Sequence, residues 1–135
     1  MPEPDSRPPI AAAVIVHEGR VLLVQRRVAE GSLSWQFPAG AVEEGEDGET
    51  AAVRETAEEA GLDVIAREFL GERVHPATGR LMQYVACEYV DGDAHVADED
   101  EIAAVAWVSL EEIPTYVPYG FYEPVQKHLD AVLVA

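Results

Sequence analysis

Three glutamates on one predicted helix are the residues best suited to chemistry. Glu58 and Glu59 follow Glu55 by three and four positions, which places all three side chains within an arc of about 100° on a helix. Like charges at these spacings destabilise an isolated helix by roughly 0.2–0.5 kcal/mol per pair. Mg²⁺ prefers oxygen ligands and keeps positions for water and phosphate oxygens, so a divalent cation would offset that cost. The alternative is a solvated acidic helix face.

The helix that carries these glutamates is predicted over Asp47–Ala60, and Gly61 has the residue type that commonly ends a helix in the left-handed conformation. Two strands before it, Ile10–His17 and Arg20–Gln25, are predicted to form a hairpin that turns at Glu18–Gly19. The other predicted elements are strands at Trp35–Phe37, Leu62–Ile65, Phe69–Val74, Met82–Val90 and Ile102–Val108, a helical turn at Leu110–Ile113 and a helix at Pro124–Val134. Trp35–Phe37 is stopped by Pro38, and Ala39–Gly40 is predicted to turn. This order indicates a layered α+β domain without βαβ units.

Length and composition predict one compact domain over residues 10–135, because 135 residues with 48% hydrophobic content can fill a single core. Residues 1–9 contain four prolines and are expected to form a mobile tail. The 26 acidic and 9 basic residues give a net charge of -17, which repels nucleic acid backbones and argues against a polymer partner. No apolar stretch is long enough to cross a bilayer and no secretion signal opens the chain. We therefore expect a cytoplasmic protein with no membrane partner.

The surroundings of the three glutamates form a longer pattern. Gly40, Glu46, Arg54, Gly61 and Leu62 stand at fixed separations from them in the segment GAVEEGEDGETAAVRETAEEAGL. This segment resembles the Nudix box at eight of its nine defined positions over 23 residues, a match far more specific than a short glycine motif. The one departure is Thr56, where the box has a bulky aliphatic residue. Glu43, Glu44 and Glu49 match no defined position and are expected to be solvated charges.

The resemblance implies the Nudix fold, an α/β/α sandwich with a mixed central sheet, and a hydrolase that depends on Mg²⁺ or Mn²⁺. It makes Glu55, Glu58 and Glu59 metal ligands or, in one case, the general base. It adds the Gly40 carbonyl to the metal shell. Arg54 becomes the internal cation that orients the carboxylates by charge-assisted hydrogen bonds.

Two further acids are implied by the same resemblance. Glu46 would act through the outer shell of the metal. Family members often recruit an acid from a loop outside the box, and Glu101, six residues before Trp107, is best placed for this role. The alternative is a plain charged loop. Glu55 and Glu101 both remain candidates for the general base.

The family reaction is attack of water on one phosphorus of a diphosphate, so the substrate is expected to be a nucleotide-like small molecule. Arg26 and Arg27 are candidates for phosphate contacts. Trp35 and Phe37 are candidates for stacking on the base, although core packing is an alternative for each. The other aromatic candidates are Tyr116, Tyr119, Phe121 and Tyr122.

The substrate class remains open between two readings. The run from Trp35 to Gly40 resembles the approach to the box in MutT-type nucleoside triphosphate hydrolases, which favours a nucleoside triphosphate. The chain contains no asparagine, so the late asparagine by which MutT reads oxidised guanine has no counterpart. ADP-ribose hydrolases tend to carry a proline about fifteen positions after the box, and Pro76 follows Leu62 by fourteen. The intact glutamates argue against a noncatalytic nucleotide sensor, and the resemblance makes a homodimer possible.

Overall fold

The computed structural model describes residues 7–27, 33–76 and 78–133. The first two strands of the sheet form the predicted hairpin. Strands β1 (Ile10–His17) and β2 (Arg20–Arg27) pair antiparallel, and Glu18 and Gly19 between them have φ values of 52° and 76°. Positive φ at both central residues is the geometry that two-residue hairpin turns require. β2 is longer than predicted, so Arg26 and Arg27 belong to the sheet.

Five more strands complete one mixed sheet. They are β3 (Leu33–Gln36), β4 (Ala39–Ala41), β5 (Asp63–Val74), β6 (Leu81–Asp91) and β7 (Ile102–Val108). Their order is β3-β2-β1-β6-β5, with β4 paired to β1 and β7 paired to β2. β1 and β6 run parallel and the other pairs are antiparallel. The mixed central sheet expected from the resemblance is confirmed.

Two segments of this sheet differ from the prediction. Ala39–Gly40 was expected to turn, but it belongs to β4 and pairs with Ala11 and Ala12 of β1. The two strands predicted at Leu62–Ile65 and Phe69–Val74 are one continuous strand, β5. Its pairing with β6 shifts register between Ala66 and Glu68 and again between Phe69 and Gly71. Such irregularities interrupt the alternation of apolar and polar residues, which is why the sequence pattern looked like two strands.

Helix α1 (Gly48–Ala60) lies on one face of the sheet, where its small residues Ala51, Ala52 and Ala60 are fully buried. The Asp47 side chain caps its first turn by accepting a 2.8 Å hydrogen bond from the Thr50 N–H. Gly61 ends it with φ 71°. Thr56, the departure from the box, is fully buried. Its hydroxyl donates to the Ala52 carbonyl at 2.8 Å, so the polar group is satisfied inside the core.

The opposite face of the sheet carries α2 (Ile113–Tyr116) and α3 (Glu123–Val132). Val125 and Leu129 of α3 are buried in the same core cluster as Val14 and Leu23 of the sheet. Helices on both faces make the α/β/α sandwich that the resemblance implied. α2 begins later than the turn predicted at Leu110–Ile113, because Pro114 occupies its first turn, where proline is well tolerated. No helix within the described ranges is long and apolar enough to cross a membrane.

Residues 7–9 contact the domain, whereas the sequence placed them in a mobile tail. The Pro9 carbonyl accepts a 2.9 Å hydrogen bond from the Val42 N–H. The Pro8 carbonyl accepts from Arg80 Nη2 at 2.7 Å. These bonds hold the segment beside the end of β4 and the start of β6. The rest of the predicted tail, residues 1–6, lies outside the described residues.

Candidate active site

Arg54 of α1 is the centre of a cluster of carboxylates. Its Nε and Nη2 donate to the two oxygens of Glu46 at 2.7 and 2.9 Å, a bidentate arrangement. Its Nη1 donates to Glu55 Oε1 at 2.8 Å and to Glu58 Oε2 at 3.2 Å. Glu43 Oε1 lies 3.3 Å from the same nitrogen. The Glu43 side chain is 66% exposed, so it remains a solvated charge at the edge of the Arg54 cluster.

The charge of Arg54 alters the acids around it. Its hydrogen bonds, followed by the bond from the Glu43 N–H, lower the pKa of Glu46 to about 2. The pKa of Arg54 is raised, chiefly by its bond with Glu46. Arg54 Nη2 also donates to the Ala41 carbonyl at 3.0 Å, which ties α1 to β4. Arg54 therefore contacts three carboxylates of the box, those of Glu46, Glu55 and Glu58.

Gly40 allows Glu55 to approach the backbone of β4 closely. A Cβ atom at position 40 would lie 2.2 Å from Cδ of Glu55, so any larger residue would push that carboxylate away. The Glu55 side chain is largely shielded from solvent. Burial raises its pKa above the ordinary value, although the bond from Arg54 opposes this effect.

Glu59 is the most deeply buried acid of the site. Its relative exposure is 1%, which contrasts with 54% for the neighbouring Glu58 side chain. Oε1 accepts a 3.1 Å hydrogen bond from the Ala39 N–H, and Oε2 accepts from Arg26 Nη1 at 2.7 Å. Burial raises the pKa of Glu59 to about 7, and the positive charge of Arg26 acts in the opposite direction.

Arg26 links Glu59 to the acid that lies outside the box. Its Nη2 donates to Glu101 Oε2 at 2.6 Å, and its Nη1 also donates to the Ala39 carbonyl at 3.2 Å. Glu101 reaches this position from a turn in which Asp98 Oδ1 accepts a hydrogen bond from the Glu101 N–H at 3.3 Å. The Glu101 carbonyl then accepts from the Arg27 N–H at 2.8 Å. The predicted acids thus form two ion-paired groups, Glu55 and Glu58 on Arg54, and Glu59 and Glu101 on Arg26.

The other predicted substrate residues lie elsewhere. Arg27 is exposed, and its Nε donates to the Glu99 carbonyl at 3.1 Å. The Trp35 ring meets the Tyr116 ring edge-on, with 4.9 Å between centroids. Phe37 is only 4% exposed and stacks on another ring, that of Phe121. Of the two alternatives for Phe37, its burial agrees with core packing, because it belongs to the core cluster beneath α2 and α3.

An open groove lies beside the helix carboxylates. Its volume is about 530 Å³, and its walls are Glu58 and the loop from Ala97 to Asp100. Within residues 7–27, 33–76 and 78–133, no three histidine, cysteine, aspartate or glutamate side chains are arranged to hold a metal ion. In this arrangement, Arg26 and Arg54 occupy oxygens of the site carboxylates.

Comparison with known families agrees with this arrangement of helix, sheet and acids. The family model described as NUDIX domain matches residues 7–129 of this chain. The chain belongs to the Nudix family. The helix of the box is α1, which lies between β4 and β5 in the chain. Proteins of this family generally depend on divalent metals.

Several curated relatives are similar to this Nudix chain. It is 38% identical over 116 residues to an NAD-capped RNA hydrolase of Pseudomonas aeruginosa, covering 86% of this chain and 40% of the relative. It is 33% identical to an RNA pyrophosphohydrolase of Caulobacter vibrioides, covering 90% and 84%. It is 31% identical to a CTP pyrophosphohydrolase of Escherichia coli, covering 79% of each. The chain thus spans about two fifths of the length of the first of these relatives.

Solved structures carry the same fold. A NUDIX hydrolase from Nitrosomonas europaea superposes with a TM-score of 0.77 at 25% identity, covering 93% of this chain and 72% of that one. An ADP-ribose pyrophosphatase from Streptococcus suis superposes with a TM-score of 0.70 at 26% identity, covering 90% and 89%. The names of these relatives and neighbours include several different nucleotide derivatives.

Sequence reasoning missed the role of Ala39. Its N–H binds Glu59 and its carbonyl binds Arg26, whereas the sequence assigned the backbone ligand to Gly40. The pairing of β4 with β1 explains the difference, since it turns the Ala39 backbone groups toward the buried end of α1. The three-residue strand β4 has no pattern of its own, so the only available signal was the neighbouring box glycine.

Proposed function

We propose that this chain is a pyrophosphohydrolase that cleaves the diphosphate linkage of a nucleotide derivative with the help of Mg²⁺ or Mn²⁺. The observation that carries the proposal is a pair of ion-paired groups on and beside α1. Arg54 binds Glu55 and Glu58, and Arg26 binds Glu59 and Glu101. A purely solvated helix face would not require a buried glutamate or two arginines among its acids.

The donors present fit a divalent cation. Carboxylate and carbonyl oxygens are the ligands that Mg²⁺ prefers, and a positive group, the Arg26 guanidinium, already lies among the oxygens of Glu59, Glu101 and Ala39. We assign metal binding to Glu58 and Glu59, leave Glu55 as a proton acceptor, and take Glu101 as the additional acid. The carbonyl ligand expected at Gly40 is more readily supplied by Ala39, because the Ala39 oxygen faces this cluster.

The side chains divide the chemistry of hydrolysis among them. Bound metal would neutralise phosphate charge and acidify a water molecule. Glu55 is our choice for the general base, because its side chain is shielded from solvent and burial raises its pKa above the ordinary value. Arg54 holds Glu55 in position. Glu101 remains the alternative base, and it reaches the site only through Arg26.

For the substrate, we propose a nucleoside triphosphate first and ADP-ribose second. The run Trp35–Gly40 that precedes the box supports the first, as does the relative named CTP pyrophosphohydrolase. The structural neighbour named ADP-ribose pyrophosphatase supports the second. Relatives named for RNA ends also make a capped or triphosphorylated RNA a third test substrate, against the expectation from net charge.

The test is a comparison of kcat/KM on ordinary and oxidised nucleoside triphosphates, ADP-ribose, dinucleoside polyphosphates, nucleotide sugars and short capped RNA, with Mg²⁺ or with excess EDTA. We expect triphosphates to yield a monophosphate and pyrophosphate. ADP-ribose favoured by more than tenfold would reverse the substrate order. Hydrolysis that persists in EDTA would refute the metal site. A nucleotide that raises the melting temperature without being cleaved would instead indicate a sensor.

The residue assignment is tested by Glu59→Gln, which should lower kcat by at least roughly a hundredfold while circular dichroism shows an intact fold. Glu44→Gln is the matched control, because Glu44 lies in the same segment, is exposed and matches no defined position of the box. Full activity of Glu59→Gln, or an equal loss in the control, would remove α1 as the metal site.

A homodimer is a further proposal. Tyr119 is 85% exposed. A large aromatic side chain that packs between two copies of the chain would be exposed in this way in one copy alone. Light scattering at micromolar concentration tests this, and a monomer would exclude it.

A further inference from the structure

The guanidinium of Arg26 occupies a position that oxygen atoms surround. It contacts Glu59 Oε2 at 2.7 Å, Glu101 Oε2 at 2.6 Å and the Ala39 carbonyl at 3.2 Å. These oxygens come from α1, from the turn before β7 and from β4. The Arg26 side chain is only 21% exposed. Three separate elements therefore converge on one cation.

The need for a cation here follows from the burial of Glu59. A carboxylate that is 1% exposed is costly to keep ionised unless a positive charge and hydrogen bonds compensate it. The Ala39 N–H supplies one hydrogen bond, and Arg26 supplies the charge. Carboxylate and carbonyl oxygens are also the ligands that divalent cations prefer, so the same oxygens suit either cation.

A divalent cation that approaches these oxygens competes with the guanidinium, because the two positive charges repel each other at such short range. We infer that Arg26 is the resident counterion of the site, and that a divalent metal binds by displacing it from Glu59 and Glu101. This inference rests on the proposed metal-dependent function. Displacement leaves the Arg26 N–H groups without these acceptors and able to donate to phosphate oxygens.

The neighbouring arginine supplies a matched control. Arg27 is next in sequence and carries the same charge, but it is exposed and its Nε donates to a backbone carbonyl, that of Glu99. General electrostatic repulsion of the metal would be reduced by either substitution. Competition for the same oxygens would be removed only by substitution of Arg26.

The experiment measures Mn²⁺ binding to the full chain without substrate, by electron paramagnetic resonance of the free ion. Wild type, Arg26→Gln, Arg26→Lys and Arg27→Gln are compared at pH 9, where protons compete least. We expect Arg26→Gln to bind Mn²⁺ about tenfold more tightly than wild type, a change typical of two coupled binding events. Arg27→Gln should remain within about twofold of wild type.

Thermal unfolding provides the second readout. In EDTA, Arg26→Gln should melt below wild type, because Glu59 loses its counterion, and saturating Mn²⁺ should raise its melting temperature more than that of wild type. If Arg26→Gln does not fold, Arg26→Lys decides. The ammonium of lysine lacks the planar fork that holds both carboxylates at a fixed spacing, so this variant should still bind Mn²⁺ several-fold more tightly.

Unchanged or weaker Mn²⁺ binding by the folded Arg26 variants would overturn the inference and leave the proposed function standing. An equal gain in Arg27→Gln would also overturn it, since that result indicates general electrostatics. A wild-type protein that binds no Mn²⁺ would refute the proposed metal site itself, and the competition with it.

Discussion

The raised pKa of Glu59 makes the stability of the metal-free protein depend on pH. Its pKa is about 7 in the folded chain, against an ordinary value of 4.5. Between these values the folded state holds a proton that the unfolded state has released. The free energy of unfolding must therefore fall as pH rises from about 4.5 to about 7, and the contribution of this group then levels off.

The size of this effect follows from the same numbers. Each pKa unit corresponds to about 1.4 kcal/mol, so a rise from 4.5 to about 7 corresponds to about 3 kcal/mol in all. Glu59→Gln should abolish this dependence, because the amide resembles the neutral acid. Glu58→Gln is the control, since Glu58 lies next to Glu59 on α1 but its side chain is 54% exposed.

The assay is urea denaturation in EDTA at pH 5, 6, 7 and 8. Wild type and Glu58→Gln should both lose about 2–3 kcal/mol relative to Glu59→Gln between pH 5 and pH 8. Glu46, whose pKa is lowered to about 2, loses its contribution only in more acidic solution and does not overlap this window. Parallel curves for wild type and Glu59→Gln would refute the reasoning, because they would mean that Arg26 keeps Glu59 ionised throughout.

The remaining predictions concern stability in EDTA, measured by urea denaturation. Arg54→Gln should lower the free energy of unfolding by about 1–3 kcal/mol, because it removes the cation of a partly buried carboxylate cluster; an unchanged midpoint would contradict this role. Gly61→Ala should lower the free energy of unfolding by at least about 1 kcal/mol more than Gly45→Ala. Both glycines have positive φ, but only a Cβ atom at position 61 would meet the His95 ring, at 2.1 Å. Equal losses in the two variants would show that the ring moves away freely. Phe37→Ala should cost about 3–5 kcal/mol, and a stable variant altered only in KM would restore Phe37 as a substrate contact.

The sequence was informative wherever structure is decided locally. The spacing of Glu55, Glu58 and Glu59 depends only on helix geometry, and the helix itself is marked by Asp47 before it and Gly61 after it. Long apolar strands such as β1 and β7 were predicted within their observed bounds. β4 could not be predicted in the same way, because three residues carry no periodicity and pair only because β1 lies beside them.

The partners of the glutamates depend on contacts between distant parts of the chain, and a small irregularity in the sheet decides them. Arg26 lies 33 residues from Glu59 and 75 from Glu101, so no local pattern relates the three. The pairing of β2 with β7 shifts register between Gln25 and Arg26, which sets Arg26 opposite Ile102. Irregularities of this kind re-aim side chains near active sites, and here the shift brings Arg26 next to the residue after Glu101. The sequence could identify Arg26 as a cation suited to phosphate. Its hydrogen bonds to Glu59 and Glu101 depend on the register shift, which no local pattern predicts.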